Sequence, residues 1–414
     1  MADRDSDGRP EEFAPVVVAR GAEQQRFMST DIRETHLAAD RRESRGTAIV
    51  VGASLSGLMT GLTLSRAGLH VTVLERSGPS PQSGAALGLV GVDLDGESRL
   101  LDGSNRRAPS LIAIAAGGSS AMHSWSAVHS RLRIAAEADP RVELRHHTVV
   151  ADVGQDADAA WVTTSDGDTL RADVVVGADG HRSVVRRSVA PHKPDATFAG
   201  YVLWLGIAQE SDLPAAHPLG RHQEGPDMMS GGDDYFVGYP LLGKDGSSAV
   251  GSRQLGFAWF DATRNDLFRE KGRIVGDVVR RSLRNDDIPE RTYRELEAQA
   301  QKLWPQPWRS AVLDRIGRRR LIGTPIAEYV PDTIANGRLA LVGNAAHVQT
   351  PMTGQGFDQS VQDAEALAEA LAAGLPGSTI EECLRSYQMT RLHSARDLVR
   401  SGQQFSRSFS GEAA

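Results

Sequence analysis

A chain of 414 residues with 46 Lys and Arg against 53 Asp and Glu has room for a large core and two or three domains, and its net charge of −7 without a long basic run argues against a nucleic-acid partner. The single cysteine, Cys383, excludes an intrachain disulfide and any cysteine-built metal site, so no metal ligand is assigned. No apolar run approaches the ~18 residues of a membrane span, and the acidic, polar start MADRDSDGRPEEF does not suit a secretory signal, so a cytoplasmic protein is expected.

Residues 1–46 mix charges with short apolar patches and hold no sustained period, which predicts a mobile tail. Order should begin with TAIVVGA, residues 47–53, a β-branched run suited to a strand buried on both faces. Helical spacing follows over residues 56–66 with Gly68 just past the end, and HVTVLER, residues 70–76, supplies a second strand. This strand–helix–strand opening predicts an α/β fold. Another strand, in ADVVVGADGHRSVVRR at residues 172–187, ends in a sharp turn at 177–180. Residues 201–260 are rich in aromatics, Gly and Pro and alternate in runs such as YVLWLGIAQ and QLGFAWF, which predicts an antiparallel sheet. GRLALVG, residues 337–343, leads into a loop with Pro351, Gly354 and Gly356, and Phe357, Val361, Ala364, Ala368 and Leu371 then fall at helical spacing. Ile380, Leu384, Tyr387, Ala395 and Leu398 repeat that spacing, so a long helix is expected over residues 379–409, with Cys383 half-buried in it.

The segment GASLSG, residues 52–57, admits two chemistries. A dinucleotide turn needs a strand, a Gly for the tight turn, a small residue where backbone meets pyrophosphate, and a Gly where helix packs on strand. Gly52, Ser54 and Gly57 occupy those places, and the helix N-terminus offers its amides and dipole to a phosphate. Glu75, 18 residues after Gly57, stands at the end of the second strand, where an acid accepts hydrogen bonds from ribose hydroxyls. The alternative is a serine hydrolase built on Ser54, but a nucleophile elbow requires G-x-S-x-G and Ser56 fills the final place.

Three ordered motifs together, GASLSG with Glu75 and Arg76, VGADGHRSVVR over residues 176–186, and GNAAHVQTPMTGQG over residues 343–356, resemble the FAD-dependent class A flavoprotein monooxygenases, which share the para-hydroxybenzoate hydroxylase fold. The segments YVLWLGIAQESDLP and MHSWSAVHSRLR are similar to those of 2,6-dihydroxypyridine 3-hydroxylase-like members. The resemblance implies a Rossmann-like FAD-binding domain with an inserted, mostly antiparallel substrate domain and a C-terminal helix. The matching boundaries are residues 47–195 and 318–377 for FAD, 196–317 for substrate and 378–414 for the helix. It also implies FAD as cofactor, NADH or NADPH as transient reductant, O2 as co-substrate, and attack of an electron-rich ring on a C4a-hydroperoxide.

By the same resemblance, Gly52, Ser54, Leu55, Ser56 and Gly57 face the FAD pyrophosphate, with Glu75 and Arg76 at the adenosine ribose and Asp179 near the pyrophosphate and ribityl chain. Arg131 stands where the family often has a flavin-contacting arginine. Pro351, Gly354, Gln355 and Gly356 lie beside the isoalloxazine, where backbone amides favour the negative charge that develops on reduction. Asn344 departs from the family's Asp, keeping one acceptor oxygen but losing the charge. His347 is expected to pack rather than to move protons, and no general base is named.

Tyr201, Trp204, Tyr239 and Arg253, with Trp259 and Pro351, are the candidates for substrate contact, an aromatic wall with one cation. Where the resembled subfamily carries polar residues, Leu205 and Gly256 stand here, so its pyridine substrate is not carried over. The expected reaction is hydroxylation or epoxidation of an aromatic, heteroaromatic or polyketide-like molecule of secondary metabolism, by a monomer or homodimer. A flavin-fold protein without redox turnover, such as a cyclase, isomerase or binding partner, is the alternative, and Asn344 is its only motive.

Overall fold

The computed structural model describes residues 45–79, 86–89, 92–101, 107–214, 226–231, 234–375 and 377–411. The expected mobile tail, apart from Arg45 and Gly46, lies outside these residues. The principal strands, in chain order, are β1 (Gly46–Val51), β2 (Leu69–Leu74), β3 (Met122–Ser124), β4 (Val142–Arg145), β5 (Val174–Gly177), β6 (Thr197–Gln209), β7 (Asp234–Leu241), β8 (Gln254–Asp261), β9 (Ile322–Glu328), β10 (Ala335–Asn336) and β11 (Leu339–Leu341). The principal helices are α1 (Leu55–Arg66), α2 (Leu111–Ala116), α3 (Trp125–Ala138), α4 (Glu290–Leu303), α5 (Trp308–Gly317), α6 (Gly356–Gly374) and α7 (Ile380–Ser410). No helix among the described residues is long and apolar enough to cross a membrane.

The first sheet runs in the order β10-β11-β5-β1-β2-β4 and is parallel except for the short edge strand β10. Its central strand β1 carries the β-branched run, and its last four residues are buried because β5 and β2 cover both edges while helices cover the faces. Strand β2 stops at Leu74, so Glu75 and Arg76 sit just beyond its end. Helix α1 starts at Leu55 with Ser54 as its N-cap, and α7 opens with a capping box between Thr379 and Glu382. One hydrophobic core packs around this sheet from residues 48–189 and 334–387, and Cys383 is fully buried in it rather than half-buried.

The second sheet is antiparallel, with β7, β8, β6 and β9 as successive neighbours and Asp227–Gly231 on its edge. Side chains alternate across it. Val202, Trp204, Ala208, Phe236, Phe257 and Trp259 point to one face, where α4 and α5 close a second core through Leu296, Trp304 and Trp308. Tyr201, Leu203, Leu205, Tyr235, Val237, Ala258 and Phe260 point to the other face, which meets Met352, Phe405 and Phe409. This second face is the one turned toward the Pro351 loop.

Candidate active site

The opening turn is built from close backbone approaches. Gly52 has φ +100 and donates its N–H to the Leu74 carbonyl at 2.7 Å, and a Cβ on it would lie 2.6 Å from the Ala178 carbonyl oxygen. At Gly57 a Cβ would fall 1.8 Å from the Gly52 carbonyl oxygen, so both positions require glycine. Ser54 is exposed and makes no side-chain cap bond, which leaves the first-turn amides of α1 open to an acceptor. Leu55 is buried, and Ser56 turns inward, its hydroxyl donating to the Ser360 hydroxyl at 3.0 Å. Among the described residues no imidazole bonds to Ser54, and the ring of His129 is engaged with the Ala53 carbonyl at 2.9 Å. The geometry thus lacks the base of a serine hydrolase.

Glu75 accepts the Ala53 N–H at 2.9 Å on one carboxylate oxygen and the Ser77 N–H at 2.8 Å on the other. A carboxylate has about four lone-pair sites, so capacity for ribose hydroxyls remains. Arg76 is exposed, and its charge acts on His181 and Arg182 across the second turn. In that turn Asp179 accepts the Val184 N–H at 2.6 Å on Oδ2, while its Oδ1 is buried without a partner. Burial pushes the Asp179 carboxyl up, against the bonds from Ser183 and Val184.

The third loop is pinned from beneath. Gly343, at φ +54, donates its N–H to Asp363 Oδ2 at 2.9 Å, and His347 Nε2 lies 2.7 Å from the same oxygen. Arg391 donates through Nε to Asp363 Oδ1 at 2.9 Å. Burial alone would raise the Asp363 carboxyl, but the nearby His347 and Arg391 and the Gly343 N–H together hold it below the ordinary value. His347 is therefore an anchor of the loop, as expected. Asn344, in the middle of this loop, is exposed; its carbonyl accepts from Arg186 Nη1 at 3.5 Å, and its side chain makes no hydrogen bond among the described residues. Beyond it Thr350 caps the turn Pro351–Thr353, Gly354 takes φ +64, and α6 begins at Gly356 without a side-chain cap on Gln355. Pro351, Gly354 and Gln355 are exposed, and Gly356 is packed close enough that a Cβ would meet Gln349 at 3.0 Å.

These three turns suit an FAD. The first supplies amides and glycines for a pyrophosphate, Asp179 offers an acceptor oxygen that no protein group uses, and Gly180 and Gly354, both at positive φ, face open space. They are adjacent in space, since Gly52 abuts Asp179 and Gly343 abuts Ser56.

Several predicted residues lie elsewhere. Trp204 and Trp259 sit in the second core on the helix-covered face, their indole N–H groups donating to Asp261 at 2.9 Å and Asp234 at 2.7 Å. Strand alternation puts them opposite the site, so Trp204 is withdrawn as a substrate contact. Arg253 forms a two-pronged pair with Glu210 at 3.1 and 2.9 Å, with side chains 6% and 8% exposed. It lies at the far end of β6 from Tyr201, roughly 25 Å along the strand, and is likewise withdrawn. Beside it opens a cavity of about 230 Å³ lined by Leu213, Val250, Gln306 and Ser310, remote from the three turns. Arg131 donates to the Ala115 carbonyl at 2.8 Å and touches His123, stitching α3 to the end of α2, which favours a packing role over flavin contact. Tyr239 stays on the site face but packs flat against Gly256, about 20 Å along the sheet from Tyr201. Tyr201 is wholly buried, with its hydroxyl turned to Thr350.

The site-facing side of the sheet forms rungs. Leu203, Phe260 and Tyr235 make one, Leu205, Ala258 and Val237 the next, and Ile207, Gly256 and Tyr239 a third. Leu205 and Gly256, the two replacements noticed in the sequence, fall on adjacent rungs of this floor; none of the side chains of these three rungs is charged, and the cation on the same face is Arg284, paired with Ile322 beyond Leu205 at the sheet's edge. Sequence reasoning missed Arg186, wholly buried and donating to the carbonyls of Pro194, His181 and Ala345, which ties the second turn to the third. It also missed Asp363 and Arg391. Asp363 stood among Ser360, Ala364 and Leu367 on the buried stripe of α6, and an acid on an apolar helical face was the available signal.

A family model described as FAD binding domain matches residues 104–231 and 270–402, together more than half of the chain. The sequence is 30% identical over 342 residues to 2,6-dihydroxypyridine 3-monooxygenase of Paenarthrobacter nicotinovorans, spanning 77% of this chain and 81% of that protein. The solved structure of 2,6-dihydroxypyridine-3-hydroxylase from Arthrobacter nicotinovorans matches the fold with a TM-score of 0.67 at 23% identity, over 90% of this chain and 95% of that one. The Klebsiella pneumoniae protein HpxO, solved with FAD and uric acid, matches with a TM-score of 0.60 at 22% identity, over 88% and 89% of the two chains.

Proposed function

We propose, on the premise that this chain belongs to the FAD-binding-domain family and is an FAD-dependent monooxygenase, that it hydroxylates or epoxidises an uncharged aromatic, heteroaromatic or polyketide-like molecule with NADH or NADPH as reductant. The observation that carries the substrate class is the charge-free floor of Leu203, Leu205, Tyr235, Val237, Ala258 and Phe260, which faces Met352 of the Pro351 loop. A fixed cation on that floor would favour a carboxylated ring. The six named side chains are uncharged, with Arg284 set apart at the sheet's edge beyond Ile322, and they favour a ligand that gains from burying apolar area, at about 25 cal/mol per Å².

Bound FAD supplies electron transfer from the nicotinamide and activation of O2. The protein's own part is to hold and orient. In this reading Gly52, Ser54 and the first-turn amides of α1 hold the pyrophosphate and Glu75 the ribose, while Asp179 and Asn344 accept from ribityl hydroxyls. The amides around Gly354 and Gly356 would stabilise negative charge on a bound flavin, and the apolar floor would exclude water and set the substrate against the loop.

The test is to reconstitute the protein with FAD and follow NADH and NADPH oxidation with neutral phenols and with their carboxylated analogues under labelled dioxygen. Faster oxidation with neutral substrates and one labelled oxygen in the product is the expected result. Faster turnover with the carboxylated analogues would reverse the substrate assignment. A flavin-loaded protein that transfers no label to any substrate would favour the cyclase, isomerase or binding role instead.

A further inference from the structure

Tyr201 has the residue type and the sheet face of a substrate contact, but its hydroxyl is used inside the protein. It is 0% exposed, and its oxygen lies 2.5 Å from the Thr350 hydroxyl. Thr350, also 0% exposed, accepts the Met352 N–H at 3.3 Å on that same hydroxyl and the Thr353 N–H on its carbonyl, so it caps the turn at the tip of the loop. The methyl group of Thr350 is held as well. A Cβ at Gly402 of α7 would lie 2.7 Å from it, so the helix backbone rests directly on this side chain. Ser406, one turn further along α7, donates to the buried carboxyl of Glu328 at 2.5 Å and to the Gly402 carbonyl at 3.4 Å. Tyr201 is packed edge-on against Phe409 and Phe405, with ring centroids 5.3 and 6.3 Å away. The tip that these groups support, Pro351, Gly354 and Gln355, is exposed and has no cover of its own.

We propose that Tyr201 is a positioning residue which, by holding Thr350 between β6 and the Gly402–Ser406 turn of α7, fixes the amides of residues 352–356 against the flavin. The proposal rests on the FAD reading of the loop. Its physical basis is that amides stabilise a developing charge only while their direction is fixed beforehand. An exposed 3₁₀ turn has few contacts with which to fix itself, and here the buried Tyr201–Thr350 hydroxyl pair, packed on Gly402, Phe405 and Phe409 of the C-terminal helix, does so.

The test compares Tyr201→Phe, Thr350→Val and Thr350→Ser with the wild type, each loaded with FAD. Phe keeps the ring contacts of Tyr201, and Ser keeps the hydroxyl of Thr350. Tyr201→Phe and Thr350→Val should each weaken FAD binding about five-fold and shift the bound flavin's midpoint potential to more negative values. The double variant should be no worse than either single one, and Thr350→Ser should restore wild-type behaviour. The KM for substrate should stay within about two-fold, because Tyr201 does not reach it. Wild-type potential and affinity in the flavin-loaded Tyr201→Phe protein would overturn the proposal, as would a Thr350→Ser variant as impaired as Thr350→Val. A wild type that takes up no FAD would instead overturn the reading of the whole site.

Discussion

Asn344 stands where the resemblance implies an Asp, and its surroundings show that the loop does not need a charge there. The residue lies between Gly343 and Ala345, both buried, and is itself exposed without a side-chain hydrogen bond among the described residues, so no protein partner there depends on a charge. The loop owes its shape to Gly343, His347 and Asp363 beneath it rather than to Asn344. Replacing Asn344 with Asp should therefore leave folding unchanged and add one charge-assisted acceptor for a ribityl hydroxyl. We expect Asn344→Asp to lower the FAD dissociation constant about five- to ten-fold, as read by flavin fluorescence titration, with the melting temperature of the flavin-free protein unaltered. A dissociation constant equal to the wild type's would remove Asn344 from the cofactor's surroundings.

At the scale of elements, α6 and α7 exist to hold the third loop as much as to fill the core. Arg391 of α7 reaches Asp363, Gln362 and Gln359 of α6, and Asp363 passes that support to Gly343 and His347. Because the folded-state Asp363 carboxyl is held below its ordinary value, its contribution is complete above the unfolded pKa near ~4 and disappears as pH falls through the lower folded value. Asp363→Asn leaves the buried Arg391 without its countercharge at every pH. We expect the variant to be less stable by about 3 kcal/mol in urea unfolding at neutral pH, and the two proteins to converge in acid, where Asp363 is protonated as well. A difference that stays constant down to the most acid conditions would show that the charge is not what matters.

The molecule as a whole separates its two cores by task. The first surrounds the parallel sheet and presents the three turns, whereas the second lies on the far side of the antiparallel sheet and never meets them. Arg253 belongs to the distal end of that sheet, and its pairing with Glu210 is a structural bond. Arg253→Met strands the Glu210 carboxylate in a buried position, so a loss of about 3 kcal/mol in stability is expected by chemical denaturation, with KM and flavin affinity unchanged. A KM raised ten-fold in this variant would return Arg253 to the substrate.

The sequence alone determined the α/β fold, the strand–turn–helix units at Gly52, Asp179 and Pro351, and the acid at Glu75. Each of these is legible because its glycines, small residues and acid lie within about 25 residues of the strand they serve, and a positive φ or a close backbone approach admits few residue types. The helices Glu290–Leu303 and Trp308–Gly317 were missed, although Tyr293, Leu296 and Ala300 carried helical spacing. Only the tertiary structure decided which face of the antiparallel sheet meets the Pro351 loop. Alternation says that Leu203 and Leu205 share one side and Trp204 takes the other, but the choice between sides depends on where α4, α5 and α7 come to rest. Tyr201 finds Thr350 across 149 residues and Arg253 finds Glu210 across 43, on packing that no local pattern encodes.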